Sequence, residues 1–206
     1  MFELSRLELI HLAAKVPASL ETSKCDELIS YFEKNVDRAV RENSTNVYTS
    51  ERLETPYQVV YVDVDSPEHK ICIDGIASAV SEWYSYLRKF DLFDLSSLFF
   101  LTQEVYYYRI MKYTEGTFIH PHVDVGVNKR GVLHRGSCTI NLSSSTDYTG
   151  GEFNLLREEH SIDLDKGDAL VFPADSFWIH SVSPIKSGVR YSLNAFLGPD
   201  KKWTEY

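Results

Sequence analysis

The sequence predicts an α+β protein with a mainly β core, in which helices from the first half pack on a C-terminal jelly roll or related double-sheet barrel. Three observations carry that expectation. Helical spacing of apolar residues dominates the first hundred positions. Past residue 105, eight short β-favouring runs follow one another, separated by "TEG", "NKRG", "YTGG", "DKGD", "PADS" and "KSG". The 206 residues suit one domain. A chain of that size buries about 70% of its unfolded surface and needs no disulfide or metal staple. The layout expected is a single domain over 1–206, with 1–104 as mostly helical support and 105–198 as the β core.

In chain order, "RLELIHLAAKV" places Leu9, Leu12, Ala13 and Val16 on one helical face. "SLETSKCDELISYFEKNVDRAVREN" offers Thr22 or Ser23 as an N-cap, and Leu28, Ile29, Phe32, Val36 and Val40 recur at helical intervals. Residues 57–64 are β-like. "CIDGIASAVSEWYSYLRKFDLF" returns to helical spacing through Ile76, Val80, Trp83 and Leu87. The eight strand candidates are 105–113, 118–125, 137–143, 152–156, 160–164, 169–172, 178–182 and 189–196.

The formal net charge is −9, which favours solubility and disfavours general affinity for nucleic acid or anionic membranes. The three cysteines, Cys25, Cys72 and Cys138, form no C-x-x-C pair. A reducing, cytoplasmic compartment is the reading that follows. The charged N-terminus reads as neither signal peptide nor membrane span, and no other apolar run reaches spanning length.

Chemistry concentrates in "HPHVD", residues 120–124. In a strand, side chains at i, i+2 and i+4 share a face, so His120, His122 and Asp124 can point together. Two imidazoles and one carboxylate on one face of the metal suit an Fe(II) centre with open positions. The third ligand must come from elsewhere, and His180, in "FWIHSVSPIKSGVR", is the candidate. Arg190 follows ten positions later, with Ser192 on the same strand face. A fixed guanidinium beside a hydroxyl makes a carboxylate clamp. An alternative triad, His120–His122–His180, would give a cupin-like site.

With these pieces in order, residues 105–198 resemble the Fe(II)- and 2-oxoglutarate-dependent oxygenases, in their prolyl 4-hydroxylase-like branch. "YTEGTFIHPHVD", "CTINLSSSTDYTGGEF" and "KGDALVFPADSFWIHSVSPIKSGVRYSLNAF" carry the likeness. The resemblance implies a double-stranded β-helix. It makes His122, Asp124 and His180 the iron ligands, with Arg190 and Ser192 on the distal carboxylate of 2-oxoglutarate. Tyr113, Thr139 and Asn141 become further cosubstrate contacts. The implied reaction hydroxylates a C–H bond using Fe(II), 2-oxoglutarate and O2, with ascorbate as an optional reductant. Its substrate would be a peptide or protein, or alternatively a free amino acid or small molecule. A noncatalytic, partner-recognising barrel is the reading from another class. The nucleic-acid repair branch carries a second arginine six residues after the clamp, where Phe196 stands here.

Three further side chains are candidates for substrate contact. Trp178 lies two residues before His180. Arg130 and Arg135 sit in "GVNKRGVLHRG", read either as a solvated loop or as a basic lid. Among Tyr106, Tyr107 and Tyr108 the sequence does not separate core from pocket, and Gly150 and Gly151 read as a turn.

Overall fold

The computed structural model describes residues 9–90, 94–126, 131, 133–156 and 160–200. All eight strand candidates form. They are β5 (Glu104–Tyr113), β6 (Ile119–His122), β7 (Gly136–Asn141), β9 (Phe153–Leu155), β10 (His160–Ile162), β11 (Ala169–Pro173), β12 (His180–Val182) and β14 (Arg190–Gly198). Two short strands, β8 (Tyr148–Gly150) and β13 (Ile185–Gly188), pair as a separate ribbon. With β1 (Ala14–Val16) and β4 (Gln58–Tyr61), a six-stranded sheet, ordered β1-β11-β7-β14-β5-β4, faces a four-stranded sheet, ordered β10-β9-β12-β6. Every recorded pairing is antiparallel.

The first half does more than support this core. Its helices are α1 (Thr22–Lys34), α2 (Pro67–Leu87) and α3 (Leu95–Thr102), but it also supplies β1 (Ala14–Val16), β2 (Asn43–Thr45), β3 (Arg52–Glu54) and β4 (Gln58–Tyr61). β1 pairs with β11, and β4 pairs with β5, so both outer strands of the large sheet come from before residue 104. The expected helix through Val16 is instead a 3-10 turn, Leu9–Leu12, followed by β1. Pro17 supplies the reason: a residue before proline is pushed out of the helical region into extended backbone. Helix α1 stops at Lys34, leaving Val36 and Val40 exposed. Val40 then bridges Val59 at the start of the sheet.

Period-two alternation splits the large sheet into two buried faces. Ile110, Cys138, Ile140, Val171, Leu193 and Ala195 face the helices, where α2 buries Cys72, Ile76, Ala79, Trp83 and Leu87. The Trp83 indole donates to Leu12 O at 2.8 Å. The opposite face, with Met111, Tyr113, Leu170 and Phe172, packs on Ile119, Phe153, Leu155 and Val182 of the small sheet. The β2–β3 hairpin lies beside the gap between the sheets, tied to β6 by Val47 N–H donating to Pro121 O at 3.0 Å.

Candidate metal and cosubstrate site

The inward row of β14 is Arg190, Ser192, Asn194 and Phe196. On one side, β5 sets Tyr113 opposite Arg190, Met111 opposite Ser192 and Arg109 opposite Asn194. On the other, β7 sets Thr139 opposite Asn194 and Ser137 opposite Phe196. Between the sheets lies a cavity of about 790 Å³, lined by most of this row together with His122, Asp124 and His180.

His122 and His180 are direct cross-strand partners, with ring centres 4.1 Å apart. Each Nδ1 sits 3.0 Å from a backbone carbonyl, of His120 and Trp178 respectively. A carbonyl only accepts, so Nδ1 carries the hydrogen and Nε2 presents its lone pair. Both Nε2 atoms meet Asp124, at 3.5 Å for His122 and 3.4 Å for His180. Metal bonds of about 2.1 Å at right angles would set neighbouring donors about 3 Å apart. The three ligand atoms lie within 4.8 Å of one another, so the donor set fits a metal with little movement. Ser137 Oγ donates to Asp124 Oδ2 at 2.6 Å, fixing the carboxylate. Phe153 stacks on the His180 ring at 5.5 Å, and Phe172 meets it edge-on at 5.0 Å.

Burial works against ionisation of Asp124, yet the two imidazoles beside it, His180 foremost, hold its carboxyl well below the usual range. Burial and the neighbouring His180 push His122 down. In His180 the same burial is outweighed by Asp124, and its pKa rises.

Arg190 is 2% exposed. Among the described residues no carboxylate pairs with it, and its Nε has no hydrogen-bond partner. Its Cζ lies 5.2 Å from the Tyr113 ring centre. Burial pushes the Tyr113 phenol up to about 12, so its hydroxyl remains a donor. Gly151 borders this arginine, but it is Ile185 that excludes a side chain there: φ is +70°, and a Cβ would stand 2.4 Å from Ile185 Cδ1 and only in ordinary contact with Arg190 Cδ, at 3.4 Å. A buried cation without a counter-ion, beside a hydroxyl that stays protonated, fits the carboxylate of 2-oxoglutarate.

Thr139 also lines the cavity, and its hydroxyl donates to Asn194 Oδ1 at 3.4 Å, as does that of Ser192 at 3.1 Å. Asn141 is not at the site. Its amide is fully buried and donates to Ser143 O and Leu164 O, so it ties two loops together. Trp178 is also displaced from its expected place. Strand β12 begins only at His180, and the indole packs in the core on Phe172. Arg135 is exposed and does not line the cavity; its backbone bonds to Leu197 and Ala174. Arg130 lies outside the described residues.

His120 does not join His122. Between Val182 and His180 the pairing advances two residues on β12 but three on β6, from Ile119 to His122, which makes a β-bulge at His120–Pro121. His120 is turned away from the donor set, leaving the His120–His122–His180 triad without geometric support. Asp124 lies beyond the end of β6, so its position comes from the following loop and Ser137 rather than from strand alternation.

Sequence reading missed Ser137, Glu42, Arg109 and Asn194, and left Tyr107 unsorted. Stepping by two from Tyr113 along β5 and from Arg190 along β14 would have found Arg109, Tyr107 and Asn194. Tyr107 lines the cavity, whereas Tyr108 packs against the helices. His134, read as part of a solvated loop, is buried in the cavity wall.

Residues 108–198 match the 2OG-Fe(II) oxygenase superfamily, which bears out the resemblance read from the sequence. Among curated proteins, a PKHD-type hydroxylase of Cupriavidus metallidurans is 38% identical over 86 residues, covering 38% of this chain and 37% of that protein. A PKHD-type hydroxylase of Synechococcus is 42% identical over 71 residues, covering 34% and 31%. The chain thus spans about a third of the length of these relatives. Solved structures share the fold at low identity. A viral collagen prolyl hydroxylase of Paramecium bursaria Chlorella virus-1, in complex with 2OG, aligns with a TM-score of 0.63 at 17% identity, over 92% of this chain and 97% of that one. A prolyl hydroxylase of Trichoplax adhaerens, in complex with a hypoxia inducible factor oxygen degradation domain peptide, aligns with a TM-score of 0.65 at 15% identity, over 94% and 86%. The double-stranded β-helix is therefore the fold of this chain.

Proposed function

We propose, taking as premise a β core that matches the 2OG-Fe(II) oxygenase superfamily and a fold shared with prolyl hydroxylases, that this protein is an Fe(II)- and 2-oxoglutarate-dependent dioxygenase that hydroxylates a C–H bond in a peptide or protein. One observation carries the reading: a buried arginine without a counter-ion among the described residues shares a cavity with a two-histidine, one-carboxylate donor set. His122, Asp124 and His180 would hold the metal from one side and leave the remaining positions open. When bound, Fe(II) with 2-oxoglutarate and O2 would supply oxidative hydroxylation, 2-oxoglutarate leaving as succinate and carbon dioxide.

The chain's own contribution is position and enclosure. Arg190 and the Tyr113 hydroxyl orient the distal carboxylate, and Ser192 stands beside them on the same face. Ser137 keeps Asp124 turned toward the two imidazoles. Met111, Ile119, Phe153 and Val182 give the cavity apolar walls that limit water near the reacting atoms. The three buried, unpaired thiols support a reducing, cytoplasmic setting. No described helix is long and apolar enough to cross a membrane.

Calorimetry of purified protein with Fe(II) under anaerobic conditions, then with 2-oxoglutarate, tests the reading. Both should bind, and the second should require the first. Incubation with O2, ascorbate and a degenerate peptide library should then yield succinate and peptides heavier by one oxygen. Failure to bind both the metal and 2-oxoglutarate would overturn the assignment.

A further inference from the structure

We propose that Asn194 is a positioning residue that donates its side-chain amide to the metal-bound end of 2-oxoglutarate, opposite the end that Arg190 holds. This rests on the oxygenase reading above.

Exposure singles the residue out. Strand β14 lies between β5 and β7 in the large sheet, and every residue from Arg190 to Gly198 is buried except Asn194. The backbone of Asn194 is paired on both sides, with Arg109 and with Thr139. The opening left to its side chain is the cavity that it lines.

The amide is also held in one orientation. The Ser192 hydroxyl donates to Asn194 Oδ1 at 3.1 Å, and the Thr139 hydroxyl donates to the same oxygen at 3.4 Å. An amide oxygen has two lone pairs, so these two donors occupy it, and it is not free to ligate a metal. Nδ2 is the remaining polar atom. Among the described residues nothing accepts from it, and it is not one of the unpartnered polar atoms sealed inside the protein. Asn194 therefore turns a fixed, neutral, accessible donor toward the cavity.

The row it belongs to selects what that donor meets. Arg190 stands four residues back, about 13 Å along an extended strand. The metal ligands lie the other way. Ser137 is two residues from Thr139 on β7, on the same face, and its Oγ donates to Asp124 Oδ2 at 2.6 Å. Diagonal neighbours on adjacent strands are about 7–8 Å apart, so Asn194 stands between the clamp and the residue that fixes a metal ligand. A five-carbon diacid clamped at Arg190 and reaching for the metal runs along this row. Its metal end carries a keto oxygen and a carboxylate, which only accept hydrogen bonds. An amide N–H meets them without adding a positive charge that would repel the metal ion beside it.

Calorimetry of the full chain loaded with Mn(II) reads 2-oxoglutarate affinity in wild type, Asn194→Ala and Asn194→Asp, with ligand-free melting temperatures as the check on folding. Asn194→Ala should weaken 2-oxoglutarate by about tenfold or more, the worth of a hydrogen bond to a charged group. Metal affinity, measured by competition with a chelating dye, should stay within about threefold in that variant, since Asn194 touches none of the ligands. Asn194→Asp still accepts from both hydroxyls but has lost the donor, so it should bind 2-oxoglutarate more weakly than Asn194→Ala does. A third readout does not depend on affinity. At saturating 2-oxoglutarate, the visible charge-transfer band of the anaerobic Fe(II) complex should move to shorter wavelength in Asn194→Ala, because the keto acid has lost a hydrogen bond. If Asn194→Ala does not fold, Asn194→Asp carries the affinity test, as it keeps the bonds to Ser192 and Thr139. Wild-type 2-oxoglutarate affinity in either variant overturns the proposal and leaves Asn194 as an acceptor for two hydroxyls; so does a band that stays in place at saturation. Failure of the oxygenase reading would show separately, as wild-type protein that does not bind 2-oxoglutarate once loaded with metal.

Discussion

Replacing Arg190 by Met should move two stabilities in different ways. In the ligand-free protein the guanidinium is a buried cation with an unpartnered Nε and no described counter-ion. Its one recorded favourable contact is the Tyr113 ring at 5.2 Å. Losing a cation–π contact costs about 0.5–2 kcal/mol, while removing an unpaired buried polar group returns about 1–3 kcal/mol. Methionine fills similar volume, so the ligand-free protein should lie between about 1 kcal/mol less stable and about 2.5 kcal/mol more stable, at roughly 2–4 °C per kcal/mol for a chain of this size. Cosubstrate binding should suffer. A charge-assisted pair is worth about 1.5–3 kcal/mol, or roughly 10- to 150-fold in affinity. At about 100 times the wild-type Kd, 2-oxoglutarate stabilises the wild type by about 2.7 kcal/mol. A thirtyfold loss leaves about 0.9 kcal/mol at the same concentration, so a shift of roughly 5–10 °C should shrink to about 2–3 °C. Thermal unfolding of the Mn(II)-loaded protein, with and without 2-oxoglutarate, reads both numbers. A large loss of ligand-free stability with an undiminished 2-oxoglutarate shift would make Arg190 a structural residue and refute the clamp.

Ser137→Ala removes the hydroxyl that fixes Asp124 and should lower metal affinity by about 10- to 100-fold, measured by competition with a chelating dye. His120→Ala should leave metal affinity within about threefold of wild type, since the bulge turns this ring from the donor set; loss of the metal would restore the cupin-like triad. The Asp63 carboxyl is held at about 2 by the Arg38 guanidinium and by the Tyr31 hydroxyl, against an ordinary value of 3.8. A depressed carboxylate contributes stability above its unfolded value and loses it as pH falls through the folded one. The melting-temperature gap between wild type and Asp63→Asn should therefore be full above about pH 4 and close toward pH 2. A gap that stays constant over that window would contradict the assignment.

The likeness to a known family was legible because its signals are local. His122 and Asp124 are two residues apart, and Arg190 and Ser192 share a strand face. The eight β runs carry their own period and turn residues, and each formed at its place with ends moved by a few residues. The N-terminal half was read less well. Strand β4 was legible in the β-like stretch 57–64, whereas β1, β2 and β3 are three residues long, too short for a period to show. Asn141 and Trp178 were expected at the site and lie elsewhere. A side chain's direction in its own strand does not reveal whether a loop carbonyl or a core ring will claim it.

By itself the sequence determined where the core strands lie along the chain, the donor types and the clamp arginine, because these follow from residue chemistry and from spacing along one strand. Tertiary structure decided between the two triads the sequence left open, turning His120 from the donor set through one extra residue in β6. It also decided that Arg109, His134 and Phe196 stand round the same cavity and that Ser137 backs Asp124. Those choices depend on register between strands distant in the chain, which one residue of slippage would reverse.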